Sequence, residues 1–246
     1  MTKTILFLLT ILPTVLFGQE TKKVTEKHEN SRFKEVYYAL KSDKSIRQGN
    51  YQKLGYKDAV LINGFYKNGL KDSIWTEYQW GGKNRKSIGT YSADNKVGVW
   101  EFYDYRGELE QKYDYTKNEI VYFTLEDKER DKEFRVIKGS DTTKTKLDRP
   151  PLYIGGSALM FETIFKSIQY PQQARENGIS GKVYITFTVD NNGKTSTHRV
   201  TKGIGYGCDE EALRVVKEIP DNWFPGLMSG QAVNVEYILP ISFTLR

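Results

Sequence analysis

A repeat of 25 residues in the first half of the chain constrains the fold more than any other feature. The segment that begins at Gly64 and the segment that begins at Gly89 share residue types at five positions with one constant offset. The equivalent pairs are Gly64 with Gly89, Tyr66 with Tyr91, Trp75 with Trp100, Tyr78 with Tyr103, and Gly82 with Gly107. A fixed period that includes tryptophan indicates stacked copies of one supersecondary unit.

Each copy has the pattern of a β-hairpin. The pairs Asn68-Gly69 and Asp94-Asn95 supply turn residues that tolerate positive φ, and they separate runs rich in tyrosine and tryptophan. Weaker copies precede Gly64 and follow Gln111. One hairpin cannot bury an apolar face alone, so three or four have to stack. The sequence therefore predicts an antiparallel β-repeat sheet over residues 33–123.

Residues 1–18 have the composition of a secretory signal peptide. One lysine precedes an apolar run over residues 5–17, and Gly18 provides a small residue for cleavage. The run is shorter than the ~20 residues that span a bilayer. We therefore expect export with cleavage after Gly18, and an uncleaved membrane anchor is the alternative.

Residues 124–150 separate the repeats from the rest of the chain and are charged and polar. Runs such as EDKERDKE lack apolar periodicity, and the segment ends at the dipeptide Pro150-Pro151. We interpret it as a linker that contains one short strand at residues 134–137.

Residues 151–246 carry both helix and strand signals. We expect a helix with Ser157 as its N-cap and a short helix that begins at Pro171 and ends at Gly178. Alternating strands follow at residues 181–190 and 195–201. A helix with an acidic first turn comes next, and then a long last strand. The pattern predicts a three-stranded antiparallel sheet packed with helices, so the whole chain is expected to be α+β.

Composition narrows the function classes. Cys208 is the only cysteine, so an internal disulfide is excluded, and two histidines are too few for a Cys/His metal cluster. Cys208 and His198 are the only candidates for a nucleophile and base, and the acidic residues after Cys208 disfavour a thiolate. The net charge of +6 comes from mixed basic and acidic residues, which is typical of a solvated surface. We expect no catalysis, cofactor, metal or nucleic-acid partner.

The repeats resemble MORN-type repeats in the looser form of the YwqK-like antitoxin-repeat proteins. The stretches GFYKNG, with Trp75 and Tyr78 after it, and GTYSADNKVGVWEFY carry this resemblance. It implies an elongated, tyrosine-rich sheet of hairpins and no particular chemistry. A glycan that stacks on Trp75, Trp100 and the tyrosines is one alternative, but the regular spacing favours core contacts between repeats.

The second half resembles the TonB family C-terminal domain in its Bacteroidetes-type form. The stretches YPQQARENGISGKVYITFTVDNNGK, GCDEEALRVVKEIPDNWFPG and VNVEYILPISF carry the resemblance. The preceding PLYIGG is similar to a segment often found before that domain. The resemblance covers about residues 151–246 and implies a small α/β domain.

In TonB proteins the last strand is an exposed edge that captures an extended peptide of an outer-membrane transporter by strand addition. The resemblance implies the same use here, since main-chain hydrogen bonds give affinity and side-chain pockets give choice. Pro240 cannot donate a ladder bond, which supports an edge position. The expected contacts are Gln231, Val233, Asn234, Val235, Glu236, Tyr237, Ile238, Leu239, Pro240 and Ile241. An edge covered by the chain itself is the alternative.

These features predict a non-enzymatic, periplasmic binding or scaffold protein of the envelope. Its expected partner is an outer-membrane TonB-dependent transporter or another envelope protein, with a homodimer through the edge strand as a further option. A force-transmitting TonB protein needs a retained anchor and a proline-rich spacer, and this chain holds only 7 prolines. A membrane-anchored, TonB-like energy transducer is the alternative if the signal peptide is retained.

Overall fold

A computed structural model describes residues 20–27, 32–125 and 132–245. The predicted signal peptide, residues 1–18, lies outside the described residues. The described chain contains sheets of nine, six and two strands together with three α-helices, so the α+β prediction is confirmed. Within the described ranges, no helix is long and apolar enough to cross a membrane.

The nine-stranded sheet is a meander in which every strand pairs with its neighbours in the chain, always antiparallel. A 3-10 helix, Tyr56–Asp58, joins the third and fourth strands. The strands are β1 (Thr21–Lys27), β2 (Lys34–Leu40), β3 (Arg47–Leu54), β4 (Val60–Lys67), β5 (Leu70–Tyr78), β6 (Arg85–Ser92), β7 (Asn95–Tyr103), β8 (Leu109–Asp114) and β9 (Glu119–Phe123). The predicted repeat region thus forms one antiparallel sheet, which begins earlier than residue 33.

Each tryptophan of the repeat lies on a glycine of the preceding strand. A Cβ atom on Gly64 would lie 2.2 Å from Cδ2 of Trp75, and one on Gly89 would lie 2.1 Å from Cδ2 of Trp100. No real Cβ atom approaches a ring so closely, so only glycine admits the indole at this position. The glycines and tryptophans recur together because they are the two halves of one contact.

The two indole nitrogens also make equivalent hydrogen bonds. Nε1 of Trp75 donates to the carbonyl oxygen of Phe65, and Nε1 of Trp100 donates to that of Thr90, both at 3.1 Å. The rings are only 2% and 1% exposed. Core contact between repeats is therefore confirmed, and a glycan cannot stack on these two rings.

Basic side chains lie between the aromatic rings on the same side of the sheet. Nζ of Lys71 lies 4.7 Å from the ring centroid of Trp75, and Nζ of Lys96 lies 4.5 Å from that of Trp100. Arg47 lies 5.3 Å from the ring of Tyr51 in the same way. Burial lowers the pKa of Lys96. A cation–ring contact thus recurs in successive hairpins of the sheet.

The six-stranded sheet has the order β11-β10-β17-β13-β14, and β16 also pairs with β17, while β12 and β15 form the two-stranded sheet. The elements are β10 (Phe134–Lys138), β11 (Asp141–Thr145), β12 (Leu152–Tyr153), α1 (Gly156–Ser167), α2 (Gln172–Glu176), β13 (Gly181–Val189), β14 (Thr195–Lys202), α3 (Cys208–Lys217), β15 (Trp223–Phe224), β16 (Gly226–Met228) and β17 (Gln231–Phe243).

The three predicted strands are present as β13, β14 and β17, but the sheet is larger than predicted. Residues 124–150, interpreted as a linker with one short strand, contribute the hairpin β10–β11 to it. Phe134 and Val136 on β10 are buried, which attaches this hairpin to the domain. The core beneath the sheet combines alternate apolar residues of β13 and β17 with α1 and α3. Its β13 members are Val183, Ile185, Phe187 and Val189.

The segment between Leu152 and Ser157 joins the two large sheets. The side chain of Gln111 on β8 donates to the carbonyl oxygen of Tyr153 at 3.1 Å and accepts from the N–H of Gly155 at 2.9 Å. Glu110 accepts hydrogen bonds from the N–H and the hydroxyl of Ser157, both at 2.9 Å. The two halves of the chain are therefore held together by buried polar contacts at the start of α1.

The prediction that Ser157 is the N-cap of this helix is wrong. The N-cap is Gly155, with a left-handed backbone at φ 109°, and Ser157 lies in the first turn. The helix needs no capping side chain of its own because Glu110 supplies the acceptor from β8. The short helix after Pro171 is present, and Gly178 follows it with φ of 66°, as predicted.

Candidate partner-binding site

The predicted site lies on β17, which has neighbours on both sides over part of its length. β13 pairs with it from residue 235 to residue 243. β16 pairs with residues 231–233, and β10 pairs with residues 234–236. The prediction of an exposed edge is therefore wrong for residues 235 and 236, which pair on both sides, while residues 231–234 pair with β16 or β10 on one side. β10 holds this position beside residues 234–236 because its side chains Phe134 and Val136 are buried in the domain.

The rest of β17 has a strand on one side only. Along residues 238–243, no strand within the described ranges pairs with β17 on the side away from β13. We call residues 238–243 the open edge. Unpaired main-chain N–H and C=O groups at such an edge are a template for another strand.

Pro240 fixes which main-chain groups face the open edge. It pairs with Tyr184 of β13 and has no N–H to donate. The ladder with β13 remains complete only if the backbone groups of residue 240 point away from β13. Because these directions alternate along a strand, the N–H and C=O groups of Ile238 and Ser242 also point to the open edge.

The side chains of the ten predicted contacts fall into three sets. Val235, Leu239 and Ile241 are buried in the core under the sheet, and they cannot reach a partner. Ile238, which is 45% exposed, and Pro240 face solvent on the other side of the sheet. The other predicted residues are exposed or half-buried, and they are Gln231, Val233, Asn234, Glu236 and Tyr237.

Two of these polar residues already have partners in the chain. Oδ1 of Asn234 accepts a hydrogen bond from the N–H of Asn191 at 2.8 Å. Glu236 forms ion pairs with Arg135 of β10, at 3.2 Å, and with Arg199 of β14. Glu236 therefore connects β10 to the far strand of the sheet, and it is engaged within the domain.

The residues considered for catalysis have no arrangement that supports it. Cys208 is buried, and burial followed by the charges of Asp209 and Glu210 raises the pKa of its thiol. His198 stacks on Phe187 at 5.1 Å, and burial lowers its pKa. In the part of the chain that the structure describes, no group of three or more His, Cys, Asp or Glu residues is placed to hold a metal ion.

Comparison with known families identifies the domain that carries β17. Residues 166–245 match the family described as Gram-negative bacterial TonB protein C-terminal. This third of the chain is therefore similar to the C-terminal domain of TonB proteins. No curated protein and no solved structure matches the chain.

Proposed function

We propose that this chain is a non-enzymatic binding protein of the cell envelope that captures an extended peptide by strand addition to β17. The single observation that carries the proposal is the open edge beside Pro240. The peptide pairs with the N–H and C=O groups of Ile238 and Ser242 and with the C=O group of Pro240. The exposed side chains of Ile238 and Pro240 supply apolar contact beside the peptide.

The partner class follows from the domain. TonB C-terminal domains interact with outer-membrane TonB-dependent transporters, so a transporter segment in extended conformation is the proposed ligand. A periplasmic location accords with this partner and with the signal peptide expected at residues 1–18.

The peptide adds beside β10 and does not replace it. Phe134 and Val136 of β10 are buried, and each buried apolar side chain stabilises by about 1.5–3 kcal/mol. The ion pair between Arg135 and Glu236 adds a further contact. The proposed binding residues are therefore Ile238 and Pro240 of the predicted set, together with Ser242.

Backbone pairing is tested directly with chemically modified peptides. Calorimetry measures the binding of a synthetic extended segment of a TonB-dependent transporter to a protein of residues 19–246. N-methylation at alternate peptide residues removes the N–H groups that face β17, whereas methylation at the intervening residues leaves them intact. We expect one methylation pattern to abolish binding and the other to preserve it. Equal affinity for both patterns would contradict strand addition.

A pair of matched variants tests the position of the site. Ile238→Glu places a charge beside the open edge, and Val121→Glu places the same charge on an exposed strand residue of the other sheet. We expect Ile238→Glu to weaken peptide binding about tenfold, or 1.4 kcal/mol, and Val121→Glu to leave it unchanged. Loss of binding in both variants, or in neither, would remove the open edge from the proposal.

The open edge also suits the homodimer option, because the same edge of a second copy is an extended strand. Light scattering over a range of protein concentrations measures this self-association. If dimerisation buries the edge, the transporter peptide must convert dimers to monomers. A dimer that persists when peptide is saturating places the two contacts on different surfaces.

The anchored-transducer alternative depends on residues 1–19, which lie outside the described residues. The mass of the mature chain and the cell fraction that contains it distinguish the anchored transducer from the periplasmic binding protein. A chain that begins at Gln19 in the soluble periplasmic fraction supports the binding protein. An intact N-terminus in the inner membrane supports a repeat-bearing transducer.

A further inference from the structure

Three loops at one end of the nine-stranded sheet each present an exposed aromatic side chain. Tyr56 lies between β3 and β4, Trp80 between β5 and β6, and Tyr105 between β7 and β8. Their exposed fractions are 76%, 75% and 73%. In a meander, loops that follow every second strand lie at the same end. We call Tyr56, Trp80 and Tyr105 the aromatic rim.

The loops of the aromatic rim are fixed to one another. Nδ2 of Asn84 donates to the carbonyl oxygens of Tyr105, at 3.3 Å, and Arg106, at 2.9 Å, in the next loop. A Cβ atom on Gly82 would lie 2.8 Å from the carbonyl oxygen of Val60, at the start of β4. The rings are thus carried on a preorganised row of loops, which lowers the entropy cost of binding.

The spacing of the rim defines the shape of its ligand. Successive loops are two strands apart, and neighbouring strands lie about 4.8 Å from each other, so adjacent rings project from points about 10 Å apart. A ligand that contacts all three rings is extended, about 20 Å long, and regular along its length. A β-linked sugar chain has this shape, since its disaccharide unit has a similar length.

The groups beside the rings suit sugar units. Nζ of Lys57 lies 5.4 Å from the ring centroid of Tyr56, and the guanidinium of Arg106 lies 5.6 Å from that of Tyr105. Asp58 in the first of these loops is exposed and pairs with Lys34 at 2.6 Å, whereas Asp104 in the other accepts hydrogen bonds from its own loop. A pyranose ring offers a C–H face that stacks on an aromatic ring, and it offers hydroxyl groups that bond to charged side chains.

The same groups argue against two other ligands. A lipid surface would have to desolvate the exposed carboxylate of Asp58 and bring it to an anionic interface. A protein interface has a contiguous, desolvated centre, whereas these rings are separated by glycine and polar residues. We propose that the aromatic rim binds an extended β-linked polysaccharide, with each ring stacked on a sugar unit. This site is separate from the open edge.

Trp80 provides its own reporter of binding. The other three tryptophans, Trp75, Trp100 and Trp223, are buried, so Trp80 dominates quenching by acrylamide. Residues 19–246 are titrated with a soluble β-1,4-linked N-acetylglucosamine oligomer long enough to span the rim. We expect a saturable blue shift of the emission and protection from acrylamide. Trp80→Phe should lose the spectral change.

Variants of the flanking rings locate the site and decide its ligand. Tyr56→Ala and Tyr105→Ala should each weaken oligomer binding about tenfold, or 1.4 kcal/mol, while the exposed control Ile74→Ala on β5 should not change it. Equal loss in the control, or no saturable binding by the wild type, would overturn the proposal. Protection of Trp80 by anionic phospholipid vesicles but not by the oligomer would assign the rim to a membrane surface and overturn it as well.

Discussion

The two large sheets bury one face each by different means. The nine-stranded sheet uses aromatic rings laid on glycines and needs few residues from elsewhere in the chain. The six-stranded sheet uses aliphatic residues covered by α1 and α3. Its strands also come from distant parts of the sequence, since β17 pairs with both β10 and β13.

The difference shows how function is divided between the sheets. In the repeat sheet every interior strand is paired along the meander, and its three most exposed aromatic residues lie on the loops. In the six-stranded sheet, β10 and β16 pair with β17 only as far as residue 236, so residues 238–243 keep the open edge. The loops between the repeats therefore carry the aromatic rim, and the incomplete pairing of β17 leaves the open edge.

The largest predicted effect is the loss of a buried tryptophan from the repeat sheet. Trp100→Ala should lower the free energy of unfolding by about 3–5 kcal/mol, because a large cavity opens between repeats. Urea denaturation followed by circular dichroism measures the change. Trp80→Ala, at the equivalent residue type on the exposed rim, should change stability by no more than about 0.5 kcal/mol. Similar losses in both variants would contradict the contrast between core and rim tryptophans.

The glycine positions give the next largest effect. Gly89→Ala should cost about 3 kcal/mol, because the new Cβ would lie 2.1 Å from the ring of Trp100. Gly64→Ala should cost about the same if the repeats are equivalent. Gly181→Ala in the other sheet should cost less, since its nearest neighbour, the Cγ2 methyl of Ile204, lies 3.0 Å away. A larger loss at Gly181 than at Gly89 would reverse the comparison of the sheets.

The junction between the sheets should respond more modestly. Glu110→Ala leaves the N–H and hydroxyl of Ser157 without their acceptor, which should cost about 1–2 kcal/mol. We expect the unfolding transition to broaden as the two sheets uncouple. Glu108→Ala, an exposed neighbour, is the control and should be near neutral. An unchanged transition in Glu110→Ala would show that the sheets are coupled elsewhere.

The smallest effect is a dependence of junction stability on pH. Nζ of Lys86 lies 2.7 Å from Glu77 and 2.8 Å from Glu162 of α1. Burial opposes ionisation of Glu162, but hydrogen bonds from Lys166 and Lys86 outweigh it and lower its pKa. A lowered pKa in the folded state stabilises the fold above the usual glutamate range, and this is lost as the pH falls through the folded value.

Glu162→Gln tests this sign. At neutral pH the variant should be less stable than the wild type by at most about 1 kcal/mol, because the pair is partly screened by solvent. The difference should vanish as the pH falls below the usual glutamate range. Melting temperatures measured across that range check it. A difference that grows on acidification would contradict the assigned direction.

The sequence predicts the parts of the fold that depend on local contacts. The constant offset between Trp75 and Trp100 predicts the repeat sheet because each ring contacts the adjacent hairpin. Alternation predicts β13 and β17, and Trp80 and Tyr105 share the same offset, so the period also contains the rim.

What the sequence does not predict depends on distant partners. The acceptor for Ser157 is Glu110, 47 residues away, so the cap was assigned to the wrong side chain. The sequence predicts β10 as a short strand but not its pairing with β17, which spans only three residues, and β11 is polar and exposed and leaves no apolar pattern. The ten predicted contact residues all lie on β17. Which part of the edge of β17 is already paired follows only from the positions of β10 and β16.

Hydrogen–deuterium exchange of individual amides on β17 tests the central claim most directly. In the free chain, the amides of Ile238 and Ser242 should exchange rapidly, while those of Leu239 and Ile241 are protected by β13. Saturation with the transporter peptide should protect Ile238 and Ser242. If these two amides are already protected in the free chain, or stay unprotected when the peptide is bound, capture at the open edge of β17 is contradicted.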